Sequence, residues 1–503
     1  MLKIGWASRD VSTEKPVIIR GQHYTRISKG VLDPIMATAL TVENNGDYVI
    51  FLSTDTTDTV AGVLNLVCEK VKNKNKEIDT AKILMSATHA HTSPIQFDCR
   101  HWGSINDIPH DGVEIADSYE YTEFFASMCA EAVCESFEKR KNGLIAYGYG
   151  YAAVAHHRRV VYDPELSESE ERKAELKRIG TTKMYGHTEL SDFSGYESGP
   201  DHFANFMFTF DQNEKLTGAI INIPCPSQNC EVENYLSADY WHDVRTILKK
   251  RYGEDLYILP QCAAAGDMSP RILHYHKAQE RRYALKFSGI PEDSRLIAPY
   301  EMQNRRDIAL RICDSFYEVY SWAGKEKYSD AKVVHKTKMS DLAKIYVSKE
   351  DYEKYKARLI EDQKNLVYDK TVSPEEALKK YTSRLCKVRE DNYVINRYET
   401  QNEDKAHKTE IHIIRIGDIA FASNQFELFM DYQHRIQARS PFIQTFIVQL
   451  AAQYHCDSGT YLPTKRAVKG KGYSAVMESS IVSPEGGDQL VEDTLSELNG
   501  ISE

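Results

Sequence analysis

Two hydrophobic periods alternate over the first 270 residues of the 503-residue chain, and this alternation restricts its folds more than any other feature. Tyr48 to Ser53 (YVIFLS) is a continuous apolar run of strand length that ends at Asp55, and a helix is expected from about Val60 to Val71. Lys82 to Ser86 (KILMS) is a second such run and leads into Thr88-His89-Ala90-His91. Continuous apolar runs suit strands covered on both faces. A long amphipathic helix is expected over about Ile115 to Glu138, followed by an alternating aromatic stretch from Leu144 to Val154. Phe206 to Asp211 and Leu216 to Ile223 flank the polar turn Gln212-Asn213-Glu214 and predict a hairpin. Ser237 opens a helix to about Lys250. Leu256 to Leu259 is a short strand that runs into Ala265-Gly266-Asp267-Met268-Ser269-Pro270.

Residues 272–400 are charged and helical in pattern. Ser373-Pro374-Glu375-Glu376 is a helix start in which Ser caps, Pro fits the first turn and Glu376 can complete a capping box. Strand-like pattern returns from about Ile411 to Leu450, and a last helix is expected over about Glu485 to Leu498. The expected fold class is therefore α/β, a mixed sheet core with flanking helices and a helical insertion near 272–400.

Lys and Arg number 63 against 74 Asp and Glu, a formal charge of −11, and no basic stripe stands out. Nucleic acid is thus a poor partner. The N-terminus (MLKIGWASRD) has no charged segment followed by an apolar one, and no window reaches the roughly 18 apolar residues of a membrane span. No secretion signal and no stable membrane insertion are expected. The ten cysteines are too dilute for a disulfide scaffold, which sets the expectation of a reduced, cytoplasmic protein. Base rates alone point to a homodimer.

Several residues can carry chemistry. His89 and His91 follow a buried strand, where open α/β sheets place their ligands. On extended chain, residues i and i+2 share a face, so both imidazoles can point at one site as a zinc pair. Two histidines with purely structural roles are the competing explanation. Gly266-Asp267-Met268-Ser269-Pro270 permits a tight turn in which Ser-Pro starts a helix with its N–H groups toward an anion, or a plain capping turn. Glu427 stands alone at the edge of an apolar stretch, as a ligand or a helix-start residue. Tyr461 and Tyr473 lie in Gly-rich, loop-like sequence. Gly148-Tyr149-Gly150-Tyr151-Ala152-Ala153 matches a dinucleotide fingerprint only by letters, since it falls inside a strand.

Taken in order, these pieces resemble the neutral (non-lysosomal) ceramidase family of zinc amidohydrolases. The resemblance runs through Ile4-Gly5-Trp6-Ala7, Asp10-Val11-Ser12, Gly21, Leu32-Asp33-Pro34, Ser53-Thr54-Asp55 and Ser86 to Pro94. It continues through Gly266-Asp267 with Ser269-Pro270, Phe426-Glu427-Leu428-Phe429, Gly459, Tyr461-Leu462-Pro463-Thr464 and Gly472-Tyr473. It implies one catalytic domain spanning 1–503 and a zinc cofactor, while the C-terminal immunoglobulin-like domain that secreted family members carry is not expected here. By position, His89, Glu427 and Tyr461 would be zinc ligands and His91 would face the scissile carbonyl. Arg158 would be the substrate-side arginine, with Arg159 its neighbouring rival. Ser269 would line the pocket, and Tyr473 would hydrogen-bond the substrate or the developing oxyanion. Asp267 and Gln228 would border the substrate.

The sequence departs from the family at the second histidine ligand. There it reads Pro224-Cys225-Pro226-Ser227-Gln228-Asn229-Cys230, with no histidine. A Cys225 or Cys230 thiolate can replace it, Gln228 is another candidate, and another divalent metal such as Mn or Fe, or no metal at all, would also accommodate the change. With no lipid-directed signal or domain, a small polar molecule is expected as substrate, cleaved at an amide or related bond. A carbohydrate-directed hydrolase or lyase and a metal-free binding protein are the alternatives.

Overall fold

The apolar runs become two sheets stacked face to face, with helices on both outer surfaces. The computed structural model describes residues 1–98, 101–291, 293–454 and 457–502. Eight strands build the larger sheet: β1 (Lys3–Asp10), β2 (Met36–Asn44), β3 (Asp47–Thr54), β4 (Ile83–Ala87), β5 (Lys141–Tyr151), β6 (Phe203–Asp211), β7 (Leu216–Ile223) and β8 (Tyr257–Cys262). Their order is β8-β7-β6-β5-β1-β2-β3-β4. The β3–β4 and β7–β8 pairs are parallel and the others antiparallel, which makes the sheet mixed as expected. The smaller sheet contains β9 (Val333–Ala343), β10 (Ala406–Ile416), β11 (Ile419–Ser423) and β12 (Gln444–Val448), in that order, with β11–β12 parallel.

One apolar layer lies between the sheets. Val42, Val49, Phe51, Leu84, Ile220 and Leu259 of the larger sheet pack on Ile414, Ile416, Phe421, Phe446 and Val448 of the smaller. The Phe51 and Phe421 rings lie 4.8 Å apart at its centre. Burial on both faces explains why these strands read as continuous apolar runs. Helices α1 (Val63–Lys74), α2 (Ser118–Glu138), α3 (Tyr240–Tyr252) and α4 (Pro299–Ala323) bury their apolar stripes in a second core cluster. Over 272–400 helices dominate, including α5 (Lys349–Lys364) and α6 (Pro374–Thr400), while β9 joins that segment to the smaller sheet. Ser373 caps α6 as expected, accepting from Glu376 N at 3.4 Å.

Two local expectations are corrected. The strand-like stretch Ile411–Leu450 contains a helix, α7 (Met430–Arg439), whose inner face is Met430, Tyr432, Gln433 and Ile436. Ser269-Pro270 starts no helix. Met268 and Ser269 instead form a short antiparallel ladder with His157 and His156. The last helix, α8 (Pro484–Ser502), agrees with its prediction.

The eight described cysteines are all free and buried, and Cys99 and Cys456 lie outside the described residues. Among the described residues no helix is long and apolar enough to cross a membrane.

Candidate metal and substrate site

The loops that follow the three parallel strand pairs meet one another: His91 N donates to Ser227 O, and Gly266 N to Leu428 O at 2.8 Å. The loop after β4 is held from both sides: Thr88 N donates to Thr54 O at 3.0 Å, Ala90 N to Thr56 O at 2.9 Å, and His91 N to Ser227 O at 3.3 Å. This loop is not extended. His89 adopts a left-handed conformation with φ 68°, a costly backbone for a residue with a Cβ. The imidazoles still meet, with Nε2 to Nε2 at 3.2 Å, but they do so through this turn rather than through strand alternation. Gly21 packs against the same loop. Its φ is +109°, and a Cβ there would stand 2.7 Å from the His91 side chain.

His89 is buried, and its Nδ1–H donates to the Thr57 carbonyl at 2.6 Å. Because a carbonyl only accepts, this bond fixes Nε2 as the atom facing the site. Nε2 lies 3.4 Å from Glu427 Oε2. Burial opposes the charged imidazole, yet Glu427 and the Thr57 carbonyl together hold the His89 pKa above its ordinary value. His91 moves the other way. Burial first, then the adjacent His89, push its pKa well below the ordinary range, so it stays neutral. Its Nδ1 is 3.5 Å from Glu231 Oε2 and makes no hydrogen bond.

Glu427 and Tyr461 are register partners in a two-residue parallel ladder, so the carboxylate and the phenol arrive together. Gly266 lies directly beneath them. A Cβ there would stand 2.2 Å from the Glu427 carbonyl oxygen. Arg158 is buried among these groups. Its Nη2 donates to Gly266 O at 2.9 Å and to the Tyr461 hydroxyl at 3.3 Å, and it lies 3.7 Å from Glu427 Oε2. Its Nη1 donates to the Tyr185 hydroxyl at 3.2 Å and to Gln228 Oε1 at 3.5 Å. Burial, then the Glu427 charge, raise the Tyr461 pKa well above its ordinary value, so the phenol is protonated here. The Tyr473 ring stands edge-on to Tyr461 at 5.5 Å, and its hydroxyl is 3.0 Å from His23 Nε2.

The remaining candidates sit differently. Arg159 points away from Arg158 into a buried ion pair with Glu197, at 2.7 and 3.1 Å, and donates to the carbonyls of Lys471 and Tyr473. Asp267 accepts from Met430 N at 3.0 Å and lies 3.4 Å from His157 Nε2, which commits it to the start of α7. Ser269 is fully buried and its hydroxyl accepts from Arg271 N at 3.1 Å. Cys225 is buried in the loop after β7. Its thiol donates to Val154 O at 3.4 Å, and burial pushes its pKa well up. Cys230 is held protonated in the same way and faces Met302.

The sequence reading missed Tyr185, Glu231 and His23. They come from three separate loops with no shared spacing, and nothing in the local sequence marks them.

The chain's fold is that of the neutral ceramidases. A structure of neutral ceramidase from Pseudomonas aeruginosa superposes with a TM-score of 0.65 at 16% identity, covering 99% of this chain and 74% of that one. A ceramidase structure described as complexed with C2 superposes with a TM-score of 0.62, at the same identity and coverage. No protein-family model matches the chain, and no curated protein matches its sequence.

Two features of the His89–Glu427 pair suit a divalent metal. Zinc bonds of about 2.0–2.1 Å put tetrahedral ligand atoms roughly 3.3 Å apart, close to the 3.4 Å between His89 Nε2 and Glu427 Oε2. The Nδ1–H to carbonyl bond of His89 is the outer support that zinc-bound histidines use. Tyr461 pairs with Glu427 in backbone register, and its hydroxyl accepts from Arg158 Nη2 at 3.3 Å.

Proposed function

We propose that the chain is a metal-dependent hydrolase of the neutral ceramidase type, acting on an amide or related acyl bond in a small polar substrate. The observation that carries this reading is the His89–Glu427 pair, with Thr57 fixing the outward-facing nitrogen. His89, Glu427 and Tyr461 would hold the metal, most simply zinc. Three protein ligands leave a position open, as catalytic zinc requires, so no replacement for the family's missing histidine is needed. A bound zinc would supply Lewis acidity and lower the pKa of water toward about 7.

The protein groups divide the remaining work. Arg158, held by Gly266 O, Tyr185 and Gln228, would orient the acyl oxygen and carry fixed positive charge beside Glu427. His91, neutral and with Nδ1 making no hydrogen bond, can accept a proton near the scissile bond and pass it to the leaving group. Tyr473, protonated at neutral pH, can donate to the developing oxyanion.

The experiment is elemental analysis of the purified protein beside His89→Ala, followed by turnover of a panel of N-acyl compounds and glycosides. About one zinc per chain, lost in the variant together with N-acyl hydrolysis, supports the reading. Glycoside turnover alone would replace it with the carbohydrate-directed one.

A metal-free binding protein is the second reading. It is favoured by Arg158, whose guanidinium already neutralises Glu427 and contacts Tyr461. Metal-free protein with full thermal stability would select it.

A further inference from the structure

A second set of metal-type donors lies at the rim of the site, on parts of the chain that the first set does not use. His23 follows the Ile18–Ile19 strand, His101 belongs to the segment before α2, and Cys386 and Glu390 sit one turn apart on α6. One ligand atom from each of His23, His101 and Cys386 lies within 4.8 Å of the other two. His23 Nδ1 is 3.3 Å from Cys386 Sγ and 3.6 Å from Glu390 Oε1, and Sγ is 3.6 Å from that same carboxylate oxygen. The two imidazole rings are 4.8 Å apart.

We propose that His23, His101 and Cys386, bordered by Glu390, form a second site for a divalent metal with the ligand preferences of zinc. The donor types argue for this. Zinc accepts imidazole nitrogen and thiolate together, and bonds of about 2.0 and 2.3 Å put a nitrogen and a sulfur roughly 3.5 Å apart around a tetrahedron. Magnesium and calcium prefer oxygen, and this cluster offers one carboxylate. A thiolate and a carboxylate together balance a 2+ ion. Cys386 and Glu390 share a helix face by their i, i+4 spacing, so one rigid element aims both. His23 is oriented for the same role. Its Nε2 is 3.0 Å from the Tyr473 hydroxyl, which leaves Nδ1 turned toward Cys386.

The site would have a structural consequence. His23, His101, Glu390, Tyr461 and Tyr473 all line one cavity of about 330 Å³. A metal on Nδ1 fixes the proton of His23 on Nε2, which then donates to the Tyr473 oxygen. The ion would thereby pin α6 to the N-terminal loop and set the orientation of Tyr473. This inference does not depend on the hydrolase reading, because none of its ligands belongs to the His89–Glu427 set.

The test is titration of the full-length, chelator-treated protein with cobalt(II), followed by its absorption spectrum. Thiolate-to-cobalt charge transfer is expected in the wild type and in His89→Ala, absent in Cys386→Ser, and displaced by added zinc. His23→Gln should keep the band and weaken cobalt binding at least about tenfold. A folded wild type with no charge-transfer band would overturn the proposal. A band of equal strength in Cys386→Ser would do the same, as would unchanged affinity in His23→Gln. Metal lost in His89→Ala with the cobalt band intact would mark the two sites as separate.

Discussion

The Nδ1–H of His89 donates to the carbonyl of Thr57 at 2.6 Å, and the left-handed backbone of His89 makes that bond reachable. An asparagine tolerates the same φ better than most residues and can imitate the Nδ1–H donor, yet it offers no nitrogen lone pair toward Glu427. His89→Asn is therefore expected to keep the fold and lose the metal. The checks are a native circular dichroism spectrum and zinc content below a tenth of wild type. Retained zinc would remove His89 from the ligand set.

Cys225 supplies a second prediction. Its thiol is buried, protonated and bonded to Val154 O. Cys225→Ala should leave metal stoichiometry unchanged while costing about 1 kcal/mol through lost packing and one weak hydrogen bond. Metal analysis and chemical denaturation read the two effects separately. A fall in bound zinc would restore the cysteine as the substitute for the missing histidine.

The neighbouring arginines separate by a third prediction. Arg159 is fully buried against Glu197 and holds the carbonyls of Lys471 and Tyr473, so it positions the loop that carries the Tyr473 ring. Breaking a buried pair leaves Glu197 uncompensated and costs roughly 3–5 kcal/mol. Arg159→Ala should lower stability by about that amount. Arg158→Ala also strips Glu427 of a buried partner, but a bound cation would balance that carboxylate, so the variant should lose turnover while costing less stability than Arg159→Ala. Equal thermal losses in both variants would show that the two residues share one structural role.

Much of this was legible in the sequence, and the exceptions have physical causes. Continuous apolar runs such as Tyr48–Ser53 announced strands because both sheet faces are covered. Helix α7 escaped notice because Asp431, Gln433, His434 and Arg435 dilute its apolar stripe, and Gln433 is buried by bonding Asp201 rather than by apolarity. His89, Glu427 and Tyr461 could be named from motif order. Their geometry could not, since the His89 turn and the Glu427–Tyr461 ladder are tertiary products. Tyr185 and His23 reach the site through contacts between distant loops, which no local pattern encodes.

Gly266 allows a test of how closely the core sets the site. The position needs no positive φ, so alanine is excluded by space alone. Its Cβ would sit 2.2 Å from the Glu427 carbonyl oxygen, and backbone must shift to relieve it. Gly266→Ala should cost about 1–3 kcal/mol as an overpacking change. Because Glu427 moves with its backbone, metal affinity should fall as well. A destabilised variant with wild-type metal affinity would place the relief elsewhere in the loop.

The last prediction concerns acid. His156 and His407 are held neutral, each with its pKa lowered from 6.5 to about 4. Burial is the main cause, helped by Arg311 beside His156 and by Lys344 beside His407. In the unfolded chain both would titrate near 6.5. Between pH 6.5 and 4 the unfolded state therefore binds more protons than the native one, and stability falls as pH falls through that window. Both rings keep some contact with solvent, which reduces the effect to on the order of 2 kcal/mol each. Denaturation midpoints measured from pH 7 to pH 4 should decline. His407→Gln, which can retain a hydrogen bond to Gln425, should flatten that decline by roughly half of the two-residue effect. A slope unchanged in this variant would mean that His407 is already protonated in the folded protein at pH 5.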